Sequence, residues 1–175
     1  MRYAAFLRAV NLGRNRRVTG AELKALFEEL GAEDVATFRT SGNVVFEGPG
    51  DMTRAIEKHL EESLGHEVAI FLRTATEVKA IAAEKPFPSK TVEASEGKLQ
   101  VSMLGAKPTA ATRKKVLALA TDQDLLAFGK RELFWLPSGG TLDSELDRKA
   151  IDELLGPTTM RTKGTVDLLA AKFFS

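Results

Sequence analysis

Arginine side chains and small polar residues gather in two short segments of this sequence, and their types suit the binding of an anion. The planar guanidinium group of arginine matches a carboxylate or a phosphate through a fork of donors, and amide and hydroxyl groups can orient the same ligand. Residues 1–20 contain five arginines and no acidic residue. The candidate binding residues in the two segments are Arg8, Asn11, Gly13, Arg39, Ser41, Gly42 and Asn43.

The charge of the whole chain is nearly balanced, in contrast to the charge of its first segment. The 175 residues include 25 lysines and arginines and 24 aspartates and glutamates, which gives a formal net charge of +1. Such a total offers little general attraction to a polyanion. The cationic first segment instead favours a local anion site.

The elements that must position these residues follow from hydrophobic periodicity and from turn residues. Thr19 and Glu22 form a capping box that begins a helix, and a second helix ends at Gly65. Ser41-Gly42 predicts a tight two-residue hairpin. The predicted strands are Arg2–Val10, Val35–Thr40, Asn43–Glu47 and Val68–Leu72. This β-α-β-β-α-β order is that of a split βαβ, or ferredoxin-like, unit.

A similar pattern recurs in the second half of the chain and predicts a duplicated fold. Thr109 caps a helix, a second hairpin turns at Gly129-Lys130, and Asp143 or Ser144 opens the next helix. We expect an α+β fold of two ferredoxin-like (βαββαβ) units, with mainly antiparallel sheets and a C-terminal helix. The predicted parts are residues 1–75 (first half), 76–97 (a connecting helix and the loop Lys85–Gly97) and 98–175 (second half with the C-terminal helix).

The topology of a split βαβ unit explains why the two arginine-bearing segments belong together. Its third strand lies between the first two and runs antiparallel to them, so the ends of strands one and two meet the start of strand three at one sheet edge. Arg8, Arg39 and Asn43 occupy those positions. The first helix also begins at this edge, and the free N–H groups of a helix N-terminus favour an anion.

Several other kinds of chemistry lack the residues that they need. The chain has no cysteine, which excludes a disulfide framework, a thiolate metal site and a cysteine nucleophile. Its two histidines, His59 and His66, lack metal-ligand spacing and form no evident Ser-His-Asp arrangement. Glycine-rich nucleotide fingerprints are absent. We therefore predict no metal and no cofactor, and we leave enzymatic activity open.

The sequence also shows no signal for a membrane. No run approaches the roughly 20 apolar residues that span a bilayer. The apolar stretch at Ala4–Leu7 is too short for a signal peptide. We expect a cytoplasmic protein with no membrane partner.

Two of these segments resemble a known bacterial family. Arg8–Gly13 (Arg-Ala-Val-Asn-Leu-Gly) is similar to the family's Arg-Gly-Ile-Asn-Val-Gly opening, and Ser41–Phe46 (Ser-Gly-Asn-Val-Val-Phe) is similar to its distinctive signature. On these motifs the chain resembles the uncharacterised family catalogued as domain of unknown function 1697. That family usually reads Thr-x-Arg-Asn-Trp-x-Thr near its end, whereas Thr162 and Lys163 replace the Asn-Trp pair here. The resemblance implies a duplicated α+β fold and no known activity.

The leading functional hypothesis is the binding, or turnover, of a small anionic ligand such as a nucleotide or a phosphorylated metabolite. Arg8, Arg39 and Arg161 would hold its charge, and Asn11, Ser41 and Asn43 would orient it through hydrogen bonds. Lys163 and Thr165 of the second half would close the site.

Two alternatives involve macromolecules. RNA-recognition domains share the βαββαβ order, so a single-stranded RNA- or DNA-binding module would stack bases on Tyr3, Phe6 and Phe46. A protein-interaction module or homodimer would use sheet edges together with aromatic side chains. The aromatic residues of interest for that second alternative are Phe134, Trp135, Phe173 and Phe174. The sequence leaves the oligomeric state open.

Overall fold

Two four-stranded antiparallel sheets and seven α-helices make up the described part of the chain. The structure is a computed structural model, and it describes residues 1–8, 18–39 and 42–175. The strands are β1 (Arg2–Arg8), β2 (Glu33–Thr37), β3 (Asn43–Glu47), β4 (Ala69–Thr74), β5 (Gln100–Leu104), β6 (Asp124–Phe128), β7 (Glu132–Pro137) and β8 (Thr158–Thr162). The helices are α1 (Gly20–Glu29), α2 (Thr53–Leu64), α3 (Ala75–Ala83), α4 (Ser89–Ala94), α5 (Ala110–Leu117), α6 (Arg148–Leu155) and α7 (Lys163–Phe173). This architecture confirms the predicted α+β class.

The strand order is the same in the two sheets. The first sheet has the order β2-β3-β1-β4 and the second has the order β6-β7-β5-β8. Every neighbouring pair is antiparallel. In each sheet the third strand in the chain therefore lies between the first two, which brings the ends of the first two strands and the start of the third to one edge.

The first core forms between one face of the first sheet and helices α1 and α2. Side chains alternate between the two faces of a strand, so Ala5 and Leu7 of β1 share a face with Val44 of β3. Leu23 of α1 and Ile56 of α2 are buried in the same core. Burying each such side chain stabilises the fold by about 1.5–3 kcal/mol. The core fixes the register that places Arg8 at the end of its strand.

Helix ends in the first half follow the predicted signals. The Thr19 side chain accepts a hydrogen bond of 3.1 Å from the backbone N–H of Glu22. Gly65 ends α2 in a left-handed conformation, with φ of +80°, which a residue without a Cβ adopts at little cost. The predicted start of α1 and the predicted end of α2 are confirmed.

The predicted two-residue turn at Ser41-Gly42 falls partly on Ser41, which lies outside the described residues. Strand β3 begins at Asn43 as predicted, and β2 ends at Thr37. The Asn43 amide donates a hydrogen bond of 2.9 Å to the Phe38 carbonyl group, which ties the start of β3 to the residue after β2.

A second core supports the second sheet. Leu133 and Trp135 of β7 pack with Val116 of α5 and Ile151 of α6. The prediction that Asp143 or Ser144 opens α6 is wrong. Those residues lie in or beside a 3₁₀ turn (Thr141–Asp143), and Asp147 caps the helix by accepting from the Ala150 N–H at 3.0 Å.

The chain forms two compact units. One unit comprises Met1–Lys79 together with Leu169–Ser175, and the other comprises Ala80–Leu168. The sequence-based division places the whole C-terminal helix with the second half, whereas its last residues belong to the first compact unit. The predicted connecting loop Lys85–Gly97 contains the short helix α4. Within the described ranges, no helix is both long enough and apolar enough to cross a membrane.

Candidate functional site

The ends of four strands meet along one edge of the first sheet. Arg8, the last residue of β1, pairs with Ala69 at the start of β4. The backbone N–H of Phe38, directly after β2, donates to the carbonyl oxygen of Asn43 at 2.9 Å. We call this edge the loop edge, and its residues are Arg8, Phe38, Arg39, Gly42, Asn43 and Ala69. The strand register therefore brings together the predicted residues of the first half that the structure describes. Asn11, Gly13 and Ser41 lie outside the described residues.

Asn43 and Gly42 fasten the loop edge. Asn43 is fully buried, and its side chain bonds to the Phe38 carbonyl group. The Gly42 carbonyl accepts from the Leu7 N–H at 2.9 Å, and Gly42 has a φ of +82°. These contacts give both residues a structural role. That Asn43 also orients a ligand stays a prediction.

Arg39 combines exposure with backbone strain. It has a φ of +60°, and the only other described non-glycine residue with positive φ is Asp34. Aspartate tolerates this region through local hydrogen bonds, whereas a longer side chain pays about 1–2 kcal/mol. Arg39 is exposed, and its guanidinium carbon lies 5.3 Å from the centre of the Phe38 ring. Arg39 thus holds an exposed cation on a strained backbone position.

Two side chains from the last turn of α7 contact the Phe38 ring. Phe173 meets it edge to face, with ring centres 6.0 Å apart and an interplanar angle of 86°. The ammonium nitrogen of Lys172 lies 5.8 Å from the centre of the Phe38 ring. Two cations and two aromatic rings are thus clustered at the loop edge. We call Phe38, Arg39, Lys172 and Phe173 the aromatic–cation cluster.

Helix α1 begins beside the loop edge. A Cβ atom added to Gly20, the first residue of the helix, would lie 2.8 Å from the Thr37 side-chain hydroxyl at the end of β2. Residues 9–17, which precede this helix in the sequence, lie outside the described residues. The N-terminus of a helix carries a partial positive charge.

The predicted site residues of the second half lie in the second unit, where protein groups bind their side chains. Arg161 donates to the Thr159 hydroxyl at 2.8 Å and to the Met160 carbonyl at 2.9 Å. Burial lowers the pKa of Arg161 to about 10, because a low-dielectric environment disfavours the charged form. The guanidinium group therefore stays charged at neutral pH.

Lys163 and Thr165 help to begin α7. The Lys163 ammonium group donates to the Ala82 carbonyl and to the Asp167 carboxylate, each at 2.8 Å. The Thr165 N–H donates to the Thr162 hydroxyl at 3.2 Å, as at a capped helix start. A role for these residues in ligand binding stays a prediction.

Sequence reasoning missed Arg73, a charged residue that is only 1% exposed. Arg73 of β4 lies opposite Ala4 of the neighbouring strand β1. In the second sheet, Arg161 of β8 lies opposite Val101 of β5 in the same way. Each arginine precedes a threonine whose hydroxyl accepts a backbone N–H three residues later, at the start of a helix. An Arg-Thr pair ends the fourth strand of each sheet, β4 and β8. This repeated pair is the sequence signal that could have identified Arg73 as the counterpart of Arg161.

The aromatic residues required by the nucleic-acid alternative are buried. Tyr3 is 6% exposed, and Phe6 and Phe46 are fully buried. Tyr3 and Phe46 stack on each other with ring centres 5.6 Å apart. Base stacking needs an accessible aromatic face, and these three buried side chains do not offer one.

A cleft of about 510 Å³ lies in the second unit. Its lining includes the acidic residues Asp122, Asp124, Asp143 and Glu145. Asp124 is already bound by protein donors, since Trp135 and Ser144 donate to it at 2.8 and 2.6 Å. Over the part of the chain that the structure describes, no group of three or more histidine or acidic side chains could hold a metal ion.

The fold and the loop edge define an α+β protein with two antiparallel sheets and a cationic edge on the first. Residues 1–134 match the family described as "Protein of unknown function (DUF1697)". The chain belongs to this family. A solved structure of a conserved bacterial protein from Streptococcus pneumoniae is similar, with a TM-score of 0.65, 22% identity and 97% of each chain covered. At that identity the likeness shows the fold alone. No curated protein matches the chain.

Proposed function

We propose that the loop edge of the first unit binds a small anionic ligand, such as a nucleotide or a phosphorylated metabolite. The observation that carries the proposal is the position of Arg39, an exposed arginine in a left-handed conformation. Arg8 ends β1 at the same edge, and α1 begins beside it. The backbone strain at Arg39 holds its positive charge near other positive charges. A bound anion would give that arrangement a function.

Electrostatics favours an anion at this place. Arg8, Arg39 and Lys172 are exposed cations of the first unit. Like charges held together raise the energy of the folded state, and a bound anion offsets their repulsion. Hydrogen bonds between a guanidinium group and a phosphate are about twice as strong as those between neutral groups. The edge therefore favours phosphate or carboxylate groups over neutral ligands.

The proposal depends on residues of the first unit alone. Arg161, Lys163 and Thr165 have partners within the second unit that account for their burial. Binding is the core of the proposal, and chemical turnover is no part of it.

A binding experiment with matched charge removal tests the proposal. We would measure the affinities of pyrophosphate and of a panel of nucleotides by calorimetry, with the Arg8→Ala plus Arg39→Ala variant beside the wild type. The control is Arg54→Ala plus Lys58→Ala, which removes two exposed cations from α2. We expect the loop-edge variant to lose at least tenfold in affinity, which is about 1.4 kcal/mol, and the control to bind as the wild type does. If the two double variants lose affinity equally, the loss follows from the removal of any two positive charges, and the proposed site is refuted.

A further inference from the structure

The aromatic–cation cluster offers two different kinds of recognition within one edge. Arg39 lies over the Phe38 ring, whose centre is 5.3 Å from the guanidinium carbon, and Lys172 reaches the same ring at 5.8 Å. We propose that the ligand of the loop edge carries a planar aromatic group joined to its anionic group, as a nucleotide does, and that Phe38, Arg39 and Lys172 select it. This inference rests on the proposed function and narrows its ligand to one class.

The stacking part of the argument concerns Arg39. A guanidinium group is planar and stacks on aromatic faces, and unstacked bases lie on arginine planes in many complexes. Phe38 is half-buried and supports the guanidinium group from one side, while Arg39 is exposed. A base lying on the exposed side would complete a stack of ring, guanidinium group and base. The left-handed backbone at Arg39 sets where its side chain leaves the chain and so contributes to this platform.

The charge part of the argument concerns Lys172. Its ammonium nitrogen is 5.3 Å from the centre of the Phe173 ring and 5.8 Å from that of Phe38. Phe173 in turn holds the Phe38 ring by an edge-to-face contact. An ammonium group is a compact point charge with rotatable donors, so it suits a phosphate beside a stacked base. The last turn of α7 thereby supplies both a rigid support and a second cation.

Selectivity separates this inference from simple anion binding. ADP and pyrophosphate share a diphosphate, and only ADP carries a base. Stacking on one platform changes affinity by roughly tenfold or more per base. We therefore expect the wild type to bind ADP at least tenfold more tightly than pyrophosphate in calorimetric titrations.

Two variants remove the platform in different ways. Arg39→Lys keeps the charge and removes the planar group, and Phe38→Leu keeps an apolar side chain and removes the ring. We expect either variant to lower the ratio of ADP to pyrophosphate affinity about tenfold. The control is Phe128→Leu in the second unit, where Arg113 lies over the ring at the same 5.3 Å. Circular dichroism spectra that match the wild type establish that each variant is folded.

The outcomes distinguish the two proposals. If pyrophosphate binds and ADP binds no more tightly, the anion site stands and the inference of a nucleotide is overturned. The inference of a nucleotide is also overturned if neither Arg39→Lys nor Phe38→Leu changes the ratio of ADP to pyrophosphate affinity. If neither compound binds the wild type, the proposed function fails and takes the inference with it. A ratio that falls in both variants and holds in Phe128→Leu supports the inference.

Discussion

Replacing Asp124 by asparagine tests how the second unit is held together. Asp124 is fully buried, and its carboxylate accepts hydrogen bonds from Trp135, Ser144 and Thr121 at 2.8, 2.6 and 2.7 Å. Burial acts to raise the pKa of Asp124, but the three hydrogen bonds outweigh it and leave the pKa below its usual range. The ionised form is therefore favoured in the folded protein.

The expected magnitude follows from the hydrogen bonds. An asparagine keeps one carbonyl oxygen for Trp135 and Ser144, and Thr121 can reverse its hydroxyl to accept from the amide. What is lost is the strengthening by the charge, so we expect Asp124→Asn to lower the free energy of unfolding by about 1–3 kcal/mol at pH 7. Asp124→Ala leaves buried donors without partners, and we expect a loss of about 3–5 kcal/mol.

The pH dependence gives the prediction its sign. A carboxyl group whose pKa is lowered on folding stabilises the protein above its unfolded pKa of about 4, and the effect is lost as the pH falls through the folded value. The gap in unfolding free energy between wild type and Asp124→Asn is therefore constant from pH 7 to about 5 and shrinks below about pH 4.

Trp135 provides the assay, because it is the single tryptophan of the chain and it bonds directly to Asp124. Urea unfolding followed by tryptophan fluorescence, repeated across this pH range, yields the free energies. Asp152→Asn, which alters an exposed carboxylate of α6, serves as the control. A gap that keeps its full size down to pH 3 would show that Asp124 is not held ionised by these donors.

Three further predictions each concern the substitution of one residue. Gly97→Ala would put a Cβ atom 2.3 Å from the backbone carbonyl oxygen of Pro137, so we expect a loss of about 1–3 kcal/mol from overpacking, measured by thermal unfolding. At Arg39, whose φ is +60°, Arg39→Gly should be more stable than Arg39→Ala by about 1 kcal/mol; equal stabilities would remove the argument from strain. Thr19→Ala deletes the cap of α1 and should cost about 1 kcal/mol, whereas Thr19→Ser should cost little.

Local signals in the sequence were enough to predict the class of fold and most elements. Thr19 and Thr109 cap helices by accepting backbone N–H groups three residues later, and such bonds involve only neighbouring residues. The segment Lys85–Gly97 is predicted as a loop from Pro86 and Pro88, and the helix α4 that lies within it has no buried residue. A helix without a buried face leaves no periodic pattern to read.

The candidate site was only half predictable, because half of it depends on distant contacts. Arg8 and Arg39 follow from strand topology, which the order of elements already implies. Lys172 and Phe173 come from the last turn of α7 and meet Phe38 across more than a hundred residues of sequence. Nothing in their spacing indicates that contact. Ser144 is predicted to open a helix because serine is a common helix cap, but its hydroxyl instead donates to Asp124, 20 residues away in the sequence.

The division of the chain into two units has a consequence for the order in which they can form during synthesis. The second unit is continuous, from Ala80 to Leu168, whereas the first needs Leu169–Ser175 in addition to Met1–Lys79. Its last strand, β4, is made long before Lys172 and Phe173 exist. At translation rates of roughly 5–20 residues per second, the first unit waits about 5–20 s for its final turn. The aromatic–cation cluster is therefore completed last, after the ribosome has finished the segment that forms the other unit.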